Sequence, residues 1–424
     1  MRWSGLVVAA ALIAPQALVS QAHAAKICDV RHFGAKGDGT TKDTAAIQRA
    51  IDSCAANKGG GTVTLAGGTF VSGPIELKSG ITFSVAKDAT LLGSPDRSDF
   101  GTYTFAGKTT VLPLVRTNHA ENVVITGGGI IDGNGHIWWD YIKGVKDAGV
   151  LGTDHPRPLG IVFDHSKHIR MEDITMQNAG MWQIVPYYSD DLKFLNMKVL
   201  APKSPNTDAI DPFSSSNILM DHVFSSVGDD NVAIKSGAID SPGPDDPSHD
   251  ILIRDCTFEQ GHGLSIGSEI SGGVYNVHAE RIHFKGTDQG IRIKANRDRG
   301  HDVRNITFKD IDMVDVKTAI LITEYYPHPA PEGEVPAEPI GRLTPFFHDI
   351  RIENVHATGG ANAGTIVGLP ESPVKDTILT NVDIQAKTAL RIAYAEVILD
   401  HVTVKSDDGA NIIIAPTAKV TKKP

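Results

Sequence analysis

The chain has 424 residues, with 50 Asp and Glu against 40 Lys and Arg and a formal net charge of -10 at pH 7. That balance excludes general nucleic-acid binding and weakly opposes a polyanionic partner, which would need a local basic patch. With three cysteines no disulfide framework can hold the fold together.

The chain opens MRWSGLVVAAALIAPQALVSQAHAAK, with Arg2 ahead of an apolar run from Leu6 to Val19 and then Ala22-His23-Ala24. A basic start, an apolar middle and a small-residue cleavage site form a secretory signal. Residues 1–24 are therefore expected to be removed on export, to the extracellular space or the periplasm, leaving 25–424 as one domain. Pro15 and Gln16 break the run, which is too short for a membrane span. Next, VRHFGAKGDGTTKD is turn-rich and begins the first structural unit. In DTAAIQRAIDSCAANKGGG, Asp43 suits an N-cap, Ile47, Ile51 and Cys54 recur on one helical face, and Gly59 to Gly61 end the helix. Cys28 and Cys54 flank this unit, and export permits their pairing, which is left open. Cys256 in ILIRDCTF reads as a small buried apolar side chain.

From HIRMEDITMQNAG onward one type of segment returns: DLKFLNMKVLAP, NILMDHVFSSVGDD, DILIRDCTFEQGHG, NVHAERIHFKGTDQG, DVRNITFKDIDMV, DIRIENVHATGG, DTILTNVDIQAKT and VILDHVTVKSDDG. Each is an alternating stretch, a turn residue such as Asn or Asp, and a second alternating stretch. Alternation predicts strands, and the recurrence predicts a solenoid. A leucine-rich horseshoe needs Leu at fixed sites and a helical return, and here Ile, Val, Phe and Met share those sites with Leu. The pattern favours an all-β parallel β-helix with the helix between Asp43 and Gly59 capping its N-terminal end. Insertions rich in Gly, Pro and acidic residues at 142–158, 237–248 and 327–345 are expected to border a groove.

Stacking brings together residues separated by about one coil. Asp208 in SPNTDAIDP, Asp229 and Asp230 in VGDDNVAIKSG, His262 in GHGLSIGSE, and Arg292 and Lys294 in GIRIKANRDRG are expected on one face of neighbouring coils. Singly, each has an ordinary reading as a turn or solvated residue. Three carboxylates, an imidazole and two cations on one wall repel and crowd one another, so together they point to chemistry. Hydrolysis of a glycosidic bond needs a carboxylic acid for the leaving oxygen and a carboxylate to activate water. Clustering is expected to raise the pKa of at least one member of the Asp229 and Asp230 pair. Arg292 and Lys294 suit an anionic sugar.

NTD at Asn206 to Asp208, GDD at Gly228 to Asp230, GHG at Gly261 to Gly263 and RIK at Arg292 to Lys294 resemble the four signature motifs of glycoside hydrolase family 28, the polygalacturonases. VRHFGAKGDG and GGGIIDGNGHIWWD at 127–140 resemble the family's N-terminal half. The resemblance implies a right-handed parallel β-helix and an inverting hydrolysis, without cofactor or metal, of α-1,4-linked galacturonan. It implies Asp229 as general acid, Asp208 with Asp230 activating water, and His262 supporting the acid's protonation. It also implies Arg292 and Lys294 binding the substrate carboxylate, and Tyr326, less surely Tyr325, as the substrate-binding tyrosine. The family's NTDG continues here as Ala209; if the glycine serves close substrate approach, the methyl narrows the site.

GDDNVAIK, GHGLSIGSE and GGVYNV look more like bacterial endo-acting members, so endo attack is slightly favoured over exo. The expected partner is pectic polysaccharide, with no nucleic acid and no membrane, and the chain is expected to be a monomer. Alternatives are a rhamnogalacturonan or xylogalacturonan hydrolase, a pectate lyase with calcium held by the aspartates, and a non-catalytic glycan-binding solenoid.

Overall fold

The computed structural model describes Met1 and residues 26–147, 156–202 and 204–423, with the side chains of 145–147 excepted. Apart from Met1, the expected export signal lies outside the described residues. Short alternating segments stack in parallel: Ile169 pairs with Leu192, Leu192 with Ile218, Ile218 with Ile251 and Ile251 with Val277. All five are buried, so each inward position continues as a ladder of aliphatic contacts along the axis. The architecture is a parallel β-helix, as the alternation implied.

One coil shows the plan. Ile184–Tyr187 lies on a front face, Asp190–Leu195 on a second and Lys198–Leu200 on a third. Aromatic side chains stack inside the third face, with Phe258 over Phe284 at 5.5 Å between ring centres and Met313 in register beyond. Truncating such a buried Phe to Ala would cost about 3–5 kcal/mol.

Between second and third faces, one residue per coil turns the corner in the left-handed region. These are Asp173, Asn196, His222, Asp255, Arg281, Asp310, Asn354, Asn381 and His401, all with φ of 50–55°. Asn and Asp tolerate that conformation because a short polar side chain can bond locally. The turn residue between paired stretches of each sequence repeat is this corner, Asn or Asp in six of the nine and His222, Arg281 and His401 in the others. The other two corners, flanking the front face, hold the longer connections: 94–114 and 133–160 before it, 235–247 and 324–345 after it.

The N-terminal end is covered by helix α1 (Thr44–Ala55), whose Ile47, Ile51 and Cys54 are fully buried. Asp43 stands at the N-cap, but its carboxylate makes no cap bond and instead accepts from Lys36 N (2.7 Å) and Gly37 N (2.9 Å), tying down the preceding turn. Cys28 and Cys54 are disulfide-bonded, and Cys256 is free and buried. The 142–158 insertion differs from the expectation of a loop throughout. Helix α2 (His136–Asp147) runs into it, because Trp138 and Ile142, one turn apart, are both buried and outweigh Gly144. Among the described residues no helix is long and apolar enough to cross a membrane.

Candidate active site

The alternation that buries Ile291 and Ile293 turns Arg292 and Lys294 out of the core onto the front face. Three coils are in register there, Ala233 with Ser265 and Ser265 with Arg292. One coil earlier Ile210 bridges to Val232, which puts Asp208 and Asp230, each two residues upstream, at equivalent places. Backbone bonds join the motifs directly: Ala209 N donates to Asp230 O at 2.9 Å and His262 N to Asp229 O at 2.8 Å. All six residues singled out in the sequence therefore meet on one wall.

Asp230 is its buried centre. Arg292 Nη1 donates to Asp230 Oδ1 at 2.8 Å, Lys294 Nζ to Oδ2 at 2.7 Å, and Ser265 Oγ to Oδ1 at 2.9 Å. Burial alone would push this carboxyl upward, but Lys294, Arg292 and Lys235 outweigh it and hold Asp230 well below the usual carboxylate range. Asp208 behaves oppositely. Burial, then the neighbouring Asp211 and Asp229 charges, push it well above the usual range. Asp211, equally buried, is raised for the same first reason. The expected upward shift thus falls on Asp208, while Asp230 is lowered because the two cations of the RIK motif point at it.

Asp229 is more open to the groove and faces His262, whose Nδ1 lies 3.0 Å from Asp229 Oδ1. On the other side of the ring, Nε2 is 3.4 Å from Asp288 Oδ2, and Lys317 Nζ bonds Asp288 Oδ1 at 2.7 Å. Two glycines make this placement possible. A Cβ on Gly263 (φ +79°) would fall 2.1 Å from Gln289 O, and one on Gly261 (φ +123°) 2.6 Å from Asp229 O. Asn231 fixes the same loop, accepting from Gly263 N at 3.0 Å and donating to Ser225 Oγ at 2.8 Å. The Asp229 and His262 side of the wall opens into a cavity of about 340 Å³ that reaches Ser204, Pro205 and Asp288.

Tyr326 is half-buried with its ring 5.0 Å from Lys294 Nζ and 5.5 Å from the Arg292 guanidinium. Tyr325 has a buried hydroxyl, and burial lifts it to about 12, so of the two tyrosines Tyr326 stands with the cations. Ala209 corrects the expectation drawn from the missing glycine. It does not occupy the left-handed region and is fully buried in the apolar core, so its methyl leaves the groove unnarrowed.

Residues 54–403 match the Glycosyl hydrolases family 28. The chain belongs to this family. A probable polygalacturonase of Vitis vinifera is 31% identical over 387 residues, covering 87% of this chain and 75% of that one. An endo-polygalacturonase of Pectobacterium carotovorum is 31% identical over 341 residues, 76% of this chain and 80% of that one. The crystal structure of a hyperthermoactive exopolygalacturonase from Thermotoga maritima matches with a TM-score of 0.75 at 29% identity, over 92% of this chain and 91% of that one. As a family 28 member the chain is a glycoside hydrolase.

This glycoside hydrolase site holds residues that sequence reasoning missed. Asp211 follows Asp208 by three positions, and the same alternation that placed Arg292 would have turned it outward beside buried Ile210. Lys235 was legible in the same way after Val232 and Ile234. It is buried against Glu269 Oε2 (3.2 Å) and under the Trp182 ring (5.0 Å). Burial opposes its charge, but Glu269, Asp211, Asp208 and Asp230 hold it firmly protonated. Arg157 gave no local signal. Its guanidinium is fully buried and donates to Pro205 O (2.7 Å), Gly180 O (3.1 Å) and Asn206 Oδ1 (2.9 Å), holding the loop that leads into Asp208.

Proposed function

We propose that the chain is an exported enzyme that hydrolyses the α-1,4-galacturonosidic bonds of polygalacturonate, with inversion. The observation that carries this reading is the pairing of Arg292, Lys294 and Tyr326 with a carboxylate set one coil wide. Asp229, beside His262, serves as the general acid that protonates the leaving oxygen. Asp230, kept ionised, orients the attacking water, and Asp208, whose raised pKa makes its carboxylate the stronger base, takes the proton. Asp229 and Asp230 share one coil, Asp208 lies one coil before it, and inversion follows the stereochemistry that the family 28 resemblance implies. Arg292 retains guanidinium donors beyond the one given to Asp230, and with Lys294 it supplies the local positive patch that an acidic sugar needs in a chain of net negative charge. The Vitis, Pectobacterium and Thermotoga proteins, all described as polygalacturonases, support the substrate class. The Cys28–Cys54 disulfide supports passage through an oxidising compartment.

Asp229, Asp230 and His262 also place ligand atoms within 4.8 Å of one another, the kind of cluster that could hold a cation in a lyase. Both Asp230 oxygens already accept from Arg292 and Lys294, so a calcium ion would have to compete with two fixed charges. That favours hydrolysis. The test is digestion of polygalacturonate with and without a chelator. Reducing ends should rise equally in both, with no product absorbing in the near ultraviolet, and Asp229→Asn should abolish them. Chelator-sensitive release of an unsaturated product would replace hydrolysis with elimination.

A further inference from the structure

The connection before the front-face strand Val115–Asn118 contains an antiparallel hairpin, Thr102–Phe105 with Lys108–Val111. It folds over the front face. Phe105 lies 4.5 Å from Tyr187 and 6.1 Å from Phe213 between ring centres, and Ala106 N donates to Tyr187 Oη at 3.2 Å. Tyr187, Phe213 and Lys235 form one column across successive coils of that face, since Tyr187 bridges to Phe213 and Phe213 to Lys235. The hairpin therefore occupies the floor of the two coils immediately N-terminal to the one carrying Asp230 and Lys235. Trp182 completes the wall, with its ring 6.2 Å from Phe105 and 5.0 Å from Lys235 Nζ.

A polymer lying along the groove over Asp208, Asp229 and Asp230 would have to continue through this aromatic wall. Phe213 shares a coil with Asp208, five residues further along the chain, and Tyr187 lies one coil before it. The hairpin is well anchored. Phe105 packs 4.5 Å from Tyr187 and Ala106 N donates to Tyr187 Oη, while Tyr103 packs 6.2 Å from Phe105 within the hairpin.

We infer that the groove is closed at its N-terminal end, so that the enzyme takes a chain end of the acidic polymer and releases products one or two residues long. This rests on the proposed hydrolysis of polygalacturonate and reverses the slight lean toward endo attack drawn from the motifs. Motif residues set the chemistry, whereas the hairpin sets what reaches it, and the hairpin carries no signature of its own.

The test follows viscosity, reducing ends and product size while the full-length enzyme digests polygalacturonate. Monomer or dimer should be the earliest product, with viscosity declining slowly as reducing ends accumulate. Shortening 103–110 to two glycines, or the milder Phe105→Ala, should open the groove, so that oligomers longer than two appear early and half the viscosity is lost while few bonds have been cut. An early ladder of intermediate oligomers from the unaltered enzyme would overturn the closed-end inference and leave hydrolysis standing. A folded enzyme that releases no product of any length would overturn both. If neither hairpin variant folds, the product sizes of the unaltered enzyme alone decide.

Discussion

Replacing Lys294 by Met removes one of two charges that balance the buried Asp230 carboxylate while keeping the length of the side chain. The Asp230 carboxylate is about 1% exposed and bonded by Lys294 at 2.7 Å and Arg292 at 2.8 Å. Breaking a buried pair by removing one partner costs about 3–5 kcal/mol, and with Arg292 still in place the lower figure applies. At about 2.1 cal/mol/K per residue, a folded body of roughly 400 residues has an unfolding entropy near 0.8 kcal/mol/K, so about 3 kcal/mol lowers Tm by about 4 °C. The pH dependence has a definite sign. Asp230 has its folded pKa held below the ordinary value of 3.8, so it stabilises the native enzyme above that value and loses the contribution only as pH falls further, through the lowered one. In Lys294→Met that support is weakened, so the Tm deficit should be full at pH 7 and shrink below pH ~4, where Asp230 can protonate. Thermal unfolding by circular dichroism at several pH values measures this. The double variant Lys294→Met with Asp230→Asn should regain much of the loss, because the unpaired charge is gone. An unchanged Tm for Lys294→Met, or a double variant less stable than the single, would refute the balance described for this site.

Asp211→Asn should raise stability at pH 7, since Asp211 is pushed well above its ordinary 3.8 by burial and its ionisation opposes folding as pH rises past that value. It should also ease ionisation of Asp208 and move the acidic limb of the kcat/KM profile to lower pH; an unmoved limb would remove Asp208 from the base role. Arg157→Gln leaves the Pro205, Gly180 and Asn206 acceptors short of donors, and should lower kcat about tenfold with a smaller change in KM, whereas Arg157→Lys should recover part of it. Burial that brings this guanidinium down to about 10 leaves it charged throughout the assay range. Replacing Cys28 and Cys54 by Ser opens a loop of sequence separation 26 and should destabilise by about 3.5 kcal/mol, read as a lower Tm with unchanged kcat.

The coil stack, the N-terminal cap and the six residues on one wall were legible because they obey a period. Ile291, Arg292, Ile293 and Lys294 declare their faces by alternation alone, and the Asn or Asp found in most repeats marks the corner between the second and third faces. What was not legible depends on neighbours brought in by the fold. The split between a lowered Asp230 and a raised Asp208 follows from which carboxylate the Arg292 and Lys294 side chains reach. Arg157 reaches across to the 205–206 loop from a segment with no repeat pattern. Ala209 misled because a glycine's absence says nothing of where the methyl points, and here it points into the core. Helix α2 was not read from the sequence, because Gly144 reads as a loop signal until Trp138 and Ile142 are seen to be buried.

The single-residue corner between the second and third faces keeps its length through nine coils, whereas the long connections described here sit at the corners beside the front face. Length variation is thus segregated from the spine of the stack. A hairpin can grow, shrink or be exchanged at the rim without changing the register that brings Asp208, Asp230 and Arg292 together. In this scaffold the polymer a member accepts and the bond-breaking step can diverge independently, because separate corners of each coil hold them.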